Sequence, residues 1–231
     1  MPVTRRVDLL PFSWNLAGPT NGIAYRSAGQ KRDFVLIHGL GMSSAYFDRF
    51  ARALYACGAH PVAPDLPGFG ESVGGAAAGA AEHAKILADW ADALSIRDAT
   101  WIGHSLGCNA VAHVARLRPD IVKRAICIGP LWSPRHPMRL PAALIVDSYR
   151  EPFALYPYVA RAYLKSGLVR WVRTARRYAA DIRTAPPDIE MFAGERDPLV
   201  DRKAIQNLTL LPGAHACHFS HPDECARAIV R

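Results

Sequence analysis

The sequence predicts an α/β fold: a mostly parallel central sheet with helices on both faces and a helical lid inserted between two strands. Three observations predict it. Short apolar runs alternate with segments of helical spacing from RDFVLI (32–37) to a last helix beginning at Asp223, and such alternation buries parallel strands beneath helices. Glycine-rich turns follow the strands, as in HGLG (38–41), DLPGFGES (65–72) and GHSLG (103–107). From Leu131 to about Thr184 the alternation stops, replaced by prolines and apolar segments interleaved with arginine. The expected division is a core of residues 1–130 and 185–231 with the lid at 131–184.

Taken in order, Arg32–Ile37 reads as a buried strand, followed by a turn and a helix through AYFDRFARALYACG that Gly58 ends. His60–Pro64 is a second strand. The Gly/Ala-rich link GGAAAGAA (74–81) leads into a helix over AEHAKILADWADALSI. Ala99–Ile102 is a strand, a helix follows GHSLG, and Val122–Ile128 is the next strand. Beyond the insertion come a strand at Ile189–Ala193, a helix near Arg202–Asn207, a short strand at Leu208–Leu211 and the last helix. No internal repeat is visible.

Bulk properties narrow the function classes. At 231 residues and 50% hydrophobic, the chain is long enough for one well-buried domain. No apolar run of about 18 residues is uninterrupted, so no membrane span is expected. The first 20 residues make a poor signal peptide, broken by Asp8, Pro11 and Asn15. Five scattered cysteines without a CxxC argue for reduced thiols and a cytoplasmic protein. The net charge of +8 is local: residues 131–183 carry 10 Lys+Arg against 3 Asp+Glu, and the remainder 18 against 17. That distribution argues against a general nucleic-acid-binding domain.

Two glycine turns carry the chemistry. VLIHGLGMSS (35–44) sets Gly39 and Gly41 after a strand, with Asp65 about 20 residues on, close to a dinucleotide fingerprint. Ser44 stands where the third glycine belongs. An oxyanion loop, whose backbone N–H groups point at a substrate carbonyl, and a plain glycine turn are the competing readings. Gly103-His104-Ser105-Leu106-Gly107 fits G-x-S-x-G, the nucleophile elbow. A turn sharp enough to lift a serine hydroxyl clear of the strand strains the serine backbone and crowds both flanking positions, which accounts for the glycines. The helix beginning just beyond directs its N-terminal dipole at the site.

A serine nucleophile needs a base, and the base an orienting acid. FAGERDPLV (192–200) places Asp197 just past a strand, and LPGAHACHFSHPDE (211–224) places His215, His218 and His221 past the last one. The H-x-x-H-x-x-H run meets no recognised ligand spacing, so neither a metal nor another cofactor is expected. Asp147 is a weaker candidate acid, and Asp65 is expected to hold its own turn together.

In these segments the chain resembles the α/β-hydrolase family. HGLG, DLPGFGES, GHSLG, GERD (194–197) and the His215 loop occur in that family's order, and the resemblance runs from Ile23 onward, the lid excepted. It implies Ser105 as nucleophile, His215 as base and Asp197 as acid, with the backbone N–H groups of Leu40 and Leu106 as oxyanion donors. It favours His215 because the family's base stands seven residues before a proline, here Pro222. His218 and His221 are then pocket-wall or surface residues. His38 and His104 are expected to hydrogen-bond locally beside the substrate pocket, and Met42 and Trp132 to line it.

The implied activity is hydrolysis of a carboxylic ester or thioester of a small acyl substrate through an acyl-enzyme. In the lid, Tyr156, Val159, Tyr163, Leu164, Leu168, Trp171 and Val172 form a possible apolar stripe flanked by Arg161, Lys165, Arg170, Arg173, Arg176 and Arg177. Such a basic face is a solvated helix surface, a receptor for an anionic small molecule, coenzyme A or an acyl-carrier protein, or, less favoured, a contact with an anionic membrane. DLPGFG-x-S with AH-x-x-x-x-SHP-x-E also resembles the pimeloyl–acyl-carrier-protein methyl ester esterases, in which basic lid residues receive the carrier. A carbon–carbon bond hydrolase, for which the G-P-G continuation is missing after HGLGMS, and a non-catalytic ligand-binding member of the fold are the other readings.

Overall fold

The computed structural model describes residues 12–74, 78–133, 143–144, 146–178 and 188–231. Its strands form one sheet in the order β1-β2-β4-β3-β5-β6-β7-β8. β1 (Asn15–Thr20) and β2 (Ile23–Ser27) make an antiparallel hairpin at one edge, and β2 pairs antiparallel with β4 (Pro61–Pro64). The rest is parallel: β3 (Phe34–Ile37) lies between β4 and β5 (Ala99–His104), followed by β6 (Val122–Ile128), β7 (Glu190–Gly194) and β8 (Leu208–Leu211).

The hairpin is absent from the sequence reading. β1 is an edge strand with no buried position along its length, so it carries no alternation of apolar and polar residues to detect. The helix expected near 202–207 is also replaced, by a turn. The Asp201 side chain accepts the Lys203 N–H at 3.2 Å and its carbonyl accepts the Ala204 N–H at 3.0 Å, a local arrangement that competes with helix.

Helices cover both faces as the pleat requires. In β3, Leu36 points to one side and Val35 and Ile37 to the other. Leu36 packs with Phe50 and Leu54 of α1 (Asp48–Ala56) and Ile229 of the last helix. Val35 and Ile37 pack with Leu87 and Trp90 of α2 (Ala80–Ala93) and Val111 and Val114 of α3 (Gly107–Leu117). α2 starts where the Glu82 carboxylate accepts the Gly79 N–H at 2.7 Å.

Between β6 and β7 lie α4 (Tyr156–Ser166) and α5 (Leu168–Tyr178). The fold closes with the short α6 (Cys217–Ser220) and α7 (Pro222–Ile229). The stripe expected on α4 and α5 does not pack as one face. Leu164 and Leu168 are exposed, Val159 packs against the α1 side of the core, and Trp171 lies against Tyr163 with ring centroids 5.7 Å apart. α4 thus meets the α1 side of the core, while α5 reaches the core through Tyr178, which packs with Ala80, Leu106 and Leu131. Residues 134–142, 145 and 179–184 of the expected lid lie outside the described residues. Among the described residues no helix is long and apolar enough to cross a membrane, and all five cysteines are free.

A tight joint lies where α3 meets the sheet. A Cβ built on Gly107 would stand 2.4 Å from the Ile37 carbonyl oxygen. Gly107→Ala is expected to cost about 1–3 kcal/mol, the range of overpacked sites. The check is a lower denaturant midpoint at unchanged slope in equilibrium unfolding.

Candidate active site

β5 delivers Ser105. The strand stays in register with β6 to its last residue, His104 opposite Ile128, and the Ser105 N–H donates to the Ile128 carbonyl at 2.9 Å. The chain then turns so sharply that Ser105 has φ 55°, a left-handed backbone for a side-chain-bearing residue. α3 begins two residues later. A Cβ on Gly103 would stand 2.6 Å from the Gly107 carbonyl, so strand and helix cross at backbone contact.

The turn after β3 faces this elbow. A Cβ on Gly39 would lie 3.1 Å from the Ser105 Cβ. His38 Nε2 accepts the Leu66 N–H at 2.9 Å, which leaves Nδ1 to donate to the Gly39 carbonyl at 2.8 Å. A void of about 10 Å³ is bordered by Gly39, Leu40, Leu106 and Gly107, with Phe69 and Thr174 among its other walls. The two residues named as oxyanion donors thus border one space at the N-terminus of α3. Asp65 is buried, its Oδ1 accepting the Ser44 N–H at 2.5 Å and its Oδ2 the Glu71 N–H at 2.8 Å. An acid spent on two backbone groups presents no carboxylate to a ribose, which weighs against the dinucleotide reading of this turn.

Asp197 follows β7 and His215 follows β8. His215 Nδ1 meets Asp197 Oδ2 at 2.9 Å, and Asp197 Oδ1 accepts the Leu199 N–H at 2.8 Å. The imidazole lies over Gly129 at the end of β6, where a Cβ would come within 2.9 Å of the ring. Ser105 is hung from the carbonyl of the preceding residue, Ile128, so nucleophile and base candidates converge on one strand end. His104 joins them further: Nε2 donates to the His215 carbonyl at 3.1 Å, and Nδ1 accepts the Tyr46 hydroxyl at 2.8 Å. His215 Nε2 is buried with no hydrogen-bond partner among the described residues. That is the nitrogen a general base would use.

Two more carboxylates surround His215. Its N–H donates to Asp147 Oδ1 at 3.3 Å, and the Ala216 N–H donates to Glu151 Oε1 at 2.6 Å. Burial opposes charge on the imidazole, but Asp197, with Asp147 and Glu151 behind it, outweighs burial and lifts His215 to about 9. Burial likewise lifts Glu151 to about 7 and raises Asp147. For Asp197 burial acts in the same direction, yet the His215 charge and hydrogen bond prevail and lower it.

The other named residues have these places. His38 borders the void, while Trp132 is buried among Cys108, Cys127 and Met191, and Met42 packs against the α1-side core. His218 is neither pocket wall nor surface. It is fully buried against Tyr46, Phe47 and Phe50, and burial drives it down to about 3. His221 Nδ1 pairs with Ser220 Oγ at 3.0 Å. Of the basic residues, Arg161 and Lys165 pair with Glu71, Arg177 with Glu82, and Arg170 donates to the Gly68 carbonyl, while Arg173 and Arg176 are exposed. Among the described residues no cluster of His, Cys, Asp or Glu is arranged to hold a metal ion. Glu151 went unnoticed in the sequence. Its one signal is D-x-x-x-E at 147–151, two of the three acids in a basic segment.

A family model of the alpha/beta hydrolase fold matches residues 34–175. The pimeloyl-[acyl-carrier protein] methyl ester esterase of Vibrio cholerae is 36% identical over 114 residues, 48% of this chain and 41% of that protein. The (E)-2-((N-methylformamido)methylene)succinate hydrolase of Acinetobacter baylyi is 29% identical over 120 residues, 50% of this chain and 44% of that protein. The chain spans less than half the length of these two relatives. Among solved structures, a bacterial membrane phospholipase A superposes with TM-score 0.72 at 21% identity, covering 94% of this chain and 84% of that one. A thioesterase domain from the curacin biosynthetic pathway gives TM-score 0.64 at 18% identity, covering 95% and 99%. At these identities the structures show a common fold.

The carboxylates around His215 make a testable statement about its charge. Followed by NMR, the ring is expected to titrate near 9 in the parent. Glu151→Gln removes a negative neighbour and should lower the midpoint; Asp197→Asn should lower it further. Because the folded value exceeds the ordinary 6.5, the stability this pair contributes is complete below pH 6.5 and lost as pH rises through about 9. A midpoint unmoved by Asp197→Asn would show that the pair does not set the charge.

Proposed function

The chain belongs to the α/β-hydrolase fold family, and from that premise we propose that it is a serine hydrolase of carboxylic esters or thioesters. One observation carries the reading: an elbow serine and a carboxylate-held histidine with an unengaged Nε2 both stand at the end of β6. In the proposed reaction the neutral form of His215, whose share grows as pH rises toward about 9, takes the Ser105 hydroxyl proton at Nε2 as Oγ bonds to the substrate carbonyl carbon. The tetrahedral oxyanion is met by the Leu40 and Leu106 N–H groups, each such donor being worth roughly 3–4 kcal/mol where it has been removed. His215 returns the proton to the departing alcohol or thiol as its bond to carbon breaks. Water, deprotonated by the same nitrogen, then releases the acid and restores Ser105. Asp197 holds the ring orientation and its charge.

Within this class the carrier-linked methyl ester is the first substrate form to test. The esterase relatives from Vibrio species support it by name, and the charge concentrated at 131–183 offers an attraction for an acidic carrier. Residues 131–184 are the proposed lid: Trp171 closes on Gly41, beside the Leu40 position, and Tyr178 reaches His83 on α2 at 2.6 Å. The proposed setting is cytoplasmic.

A fluorophosphonate probe tests the chemistry directly by intact mass. One stoichiometric adduct is expected on the parent, none on Ser105→Ala, and labelling slowed by about 10²-fold or more on His215→Ala, the contribution of a general base. A folded parent that gains no adduct would overturn the mechanism. With labelling established, methyl esters and thioesters of an acyl-carrier protein are compared with short free esters.

A further inference from the structure

A second cavity, of about 230 Å³, lies between α4 and the core. Its walls include Arg26 of β2, Ser44 after the β3 turn, Asp65 and Glu71 of the turn after β4, and Arg161 and Lys165 of α4. Ser105, Leu40, Leu106, Asp197 and His215 are not among the residues that line it. Its polar groups are unevenly spent. Asp65 is occupied by two backbone N–H groups. Arg26 Nη1 donates to the Trp14 carbonyl at 3.2 Å, but its Nε is buried without a partner among the described residues. Ser44 is 1% exposed, its N–H is taken by Asp65, and its hydroxyl is likewise buried without a partner.

Both atoms are covered from the cavity, so each reaches an occupant only as its side chain turns toward it, and a buried donor left unmade, costing roughly 1–3 kcal/mol, favours that turn. The charge has the matching sign. Three cations, Arg26, Arg161 and Lys165, face two carboxylates, Asp65 and Glu71, leaving one positive charge over. Glu71 is the internal competitor, since its carboxylate pairs with both Arg161 and Lys165 at the rim. An ionised carboxylate or phosphate accepts hydrogen bonds at every oxygen and suits an arginine fork.

We propose that this cavity is a second ligand site, which takes the carboxylate or phosphate group of a small molecule. With their side chains turned toward it, Arg26 Nε and Ser44 Oγ donate to this group, and Arg161 and Lys165 balance its charge in competition with Glu71. The site joins α4 to the core, so an occupant fastens that helix in place. It does not depend on the hydrolytic reading, because none of its groups takes part in that chemistry.

The test is calorimetric titration of the intact protein with inorganic phosphate and with glutarate. Saturable one-to-one binding of at least one anion is expected, weakened about tenfold or more in Arg26→Gln and in Ser44→Ala, the loss of one hydrogen bond to a charged group. Glu71→Gln should bind more tightly, and Ser105→Ala should bind like the parent. Circular dichroism melts verify that each variant is folded. A substrate-borne anion is distinguished from a free one by kinetics: Arg26→Gln then raises KM for an ester bearing a terminal carboxylate and leaves a neutral butyrate ester unchanged. No change in either KM, with anion binding lost, assigns the site to a separate molecule. Absence of binding by both anions to the folded parent, or equal binding in Arg26→Gln and Ser44→Ala, overturns the proposal. Loss of probe labelling at Ser105 with anion binding intact would overturn the hydrolase reading alone.

Discussion

The end of β3 and the start of α3 touch through backbone alone, and the site's geometry depends on that contact. No side chain fits at Gly107, where a Cβ would press on the Ile37 carbonyl, or at Gly103, where it would meet the Gly107 carbonyl. Glycine at both positions lets the helix start directly over the strand ends. Ser105 is then forced into its left-handed turn, and the N-terminus of α3 opens toward the Leu40 turn. The strand order carries the rest. With β3 beside β5, and β6, β7 and β8 following on one side, the turns bearing Leu40, Ser105, Gly129, Asp197 and His215 leave one edge of the sheet, the carboxyl end where open α/β sheets gather ligands.

Histidines sharpen the electrostatic argument, because their surroundings differ in one respect. His38, His104 and His218 are buried and burial lowers each of them. His215 is as deeply placed, yet it is raised. Its neighbours include three carboxylates, whereas His218 is enclosed by Tyr46, Phe47 and Phe50. The neutral histidines serve as hydrogen-bonding or packing groups, with His104 tying Tyr46 to the His215 backbone. Charge is concentrated on one imidazole, and the neutral rings around it add no competing positive centre.

Much of this arrangement is legible in the sequence because it depends on short-range rules. G-x-S-x-G after an apolar run specifies the elbow, and Asp65 could be read as a turn-holder. The choice of His215 among three histidines rested on the family resemblance, since spacing alone leaves them equal; the structure separates them by placing His218 among aromatics. Glu151 was illegible for a different reason. Its partner is the backbone N–H of Ala216, 65 residues away, and every residue but proline offers that group, so no sequence pattern marks it. β1 was lost because an exposed edge strand has no buried face to periodically betray it.

The segment between β6 and β7 is attached by contacts of different kinds. Toward α2 and the β4 turn its ion pairs are solvent-exposed: Arg177 with Glu82, and Arg161 and Lys165 with Glu71. Such pairs are screened by salt and contribute little. Toward the base loop the contacts are buried. Asp147 and Glu151 receive consecutive backbone N–H groups, at His215 and Ala216, and separating them would strand two donors together with carboxylates that burial already disfavours as charged groups. The arginine-rich helices have buried anchors as well, since Tyr178 is 1% exposed and its hydroxyl pairs with His83 of α2. What sets the 147–151 segment apart is its target: its two carboxylates hold the backbone of the His215 loop, so the segment between β6 and β7 fixes both the position of that ring and the negative charge around it.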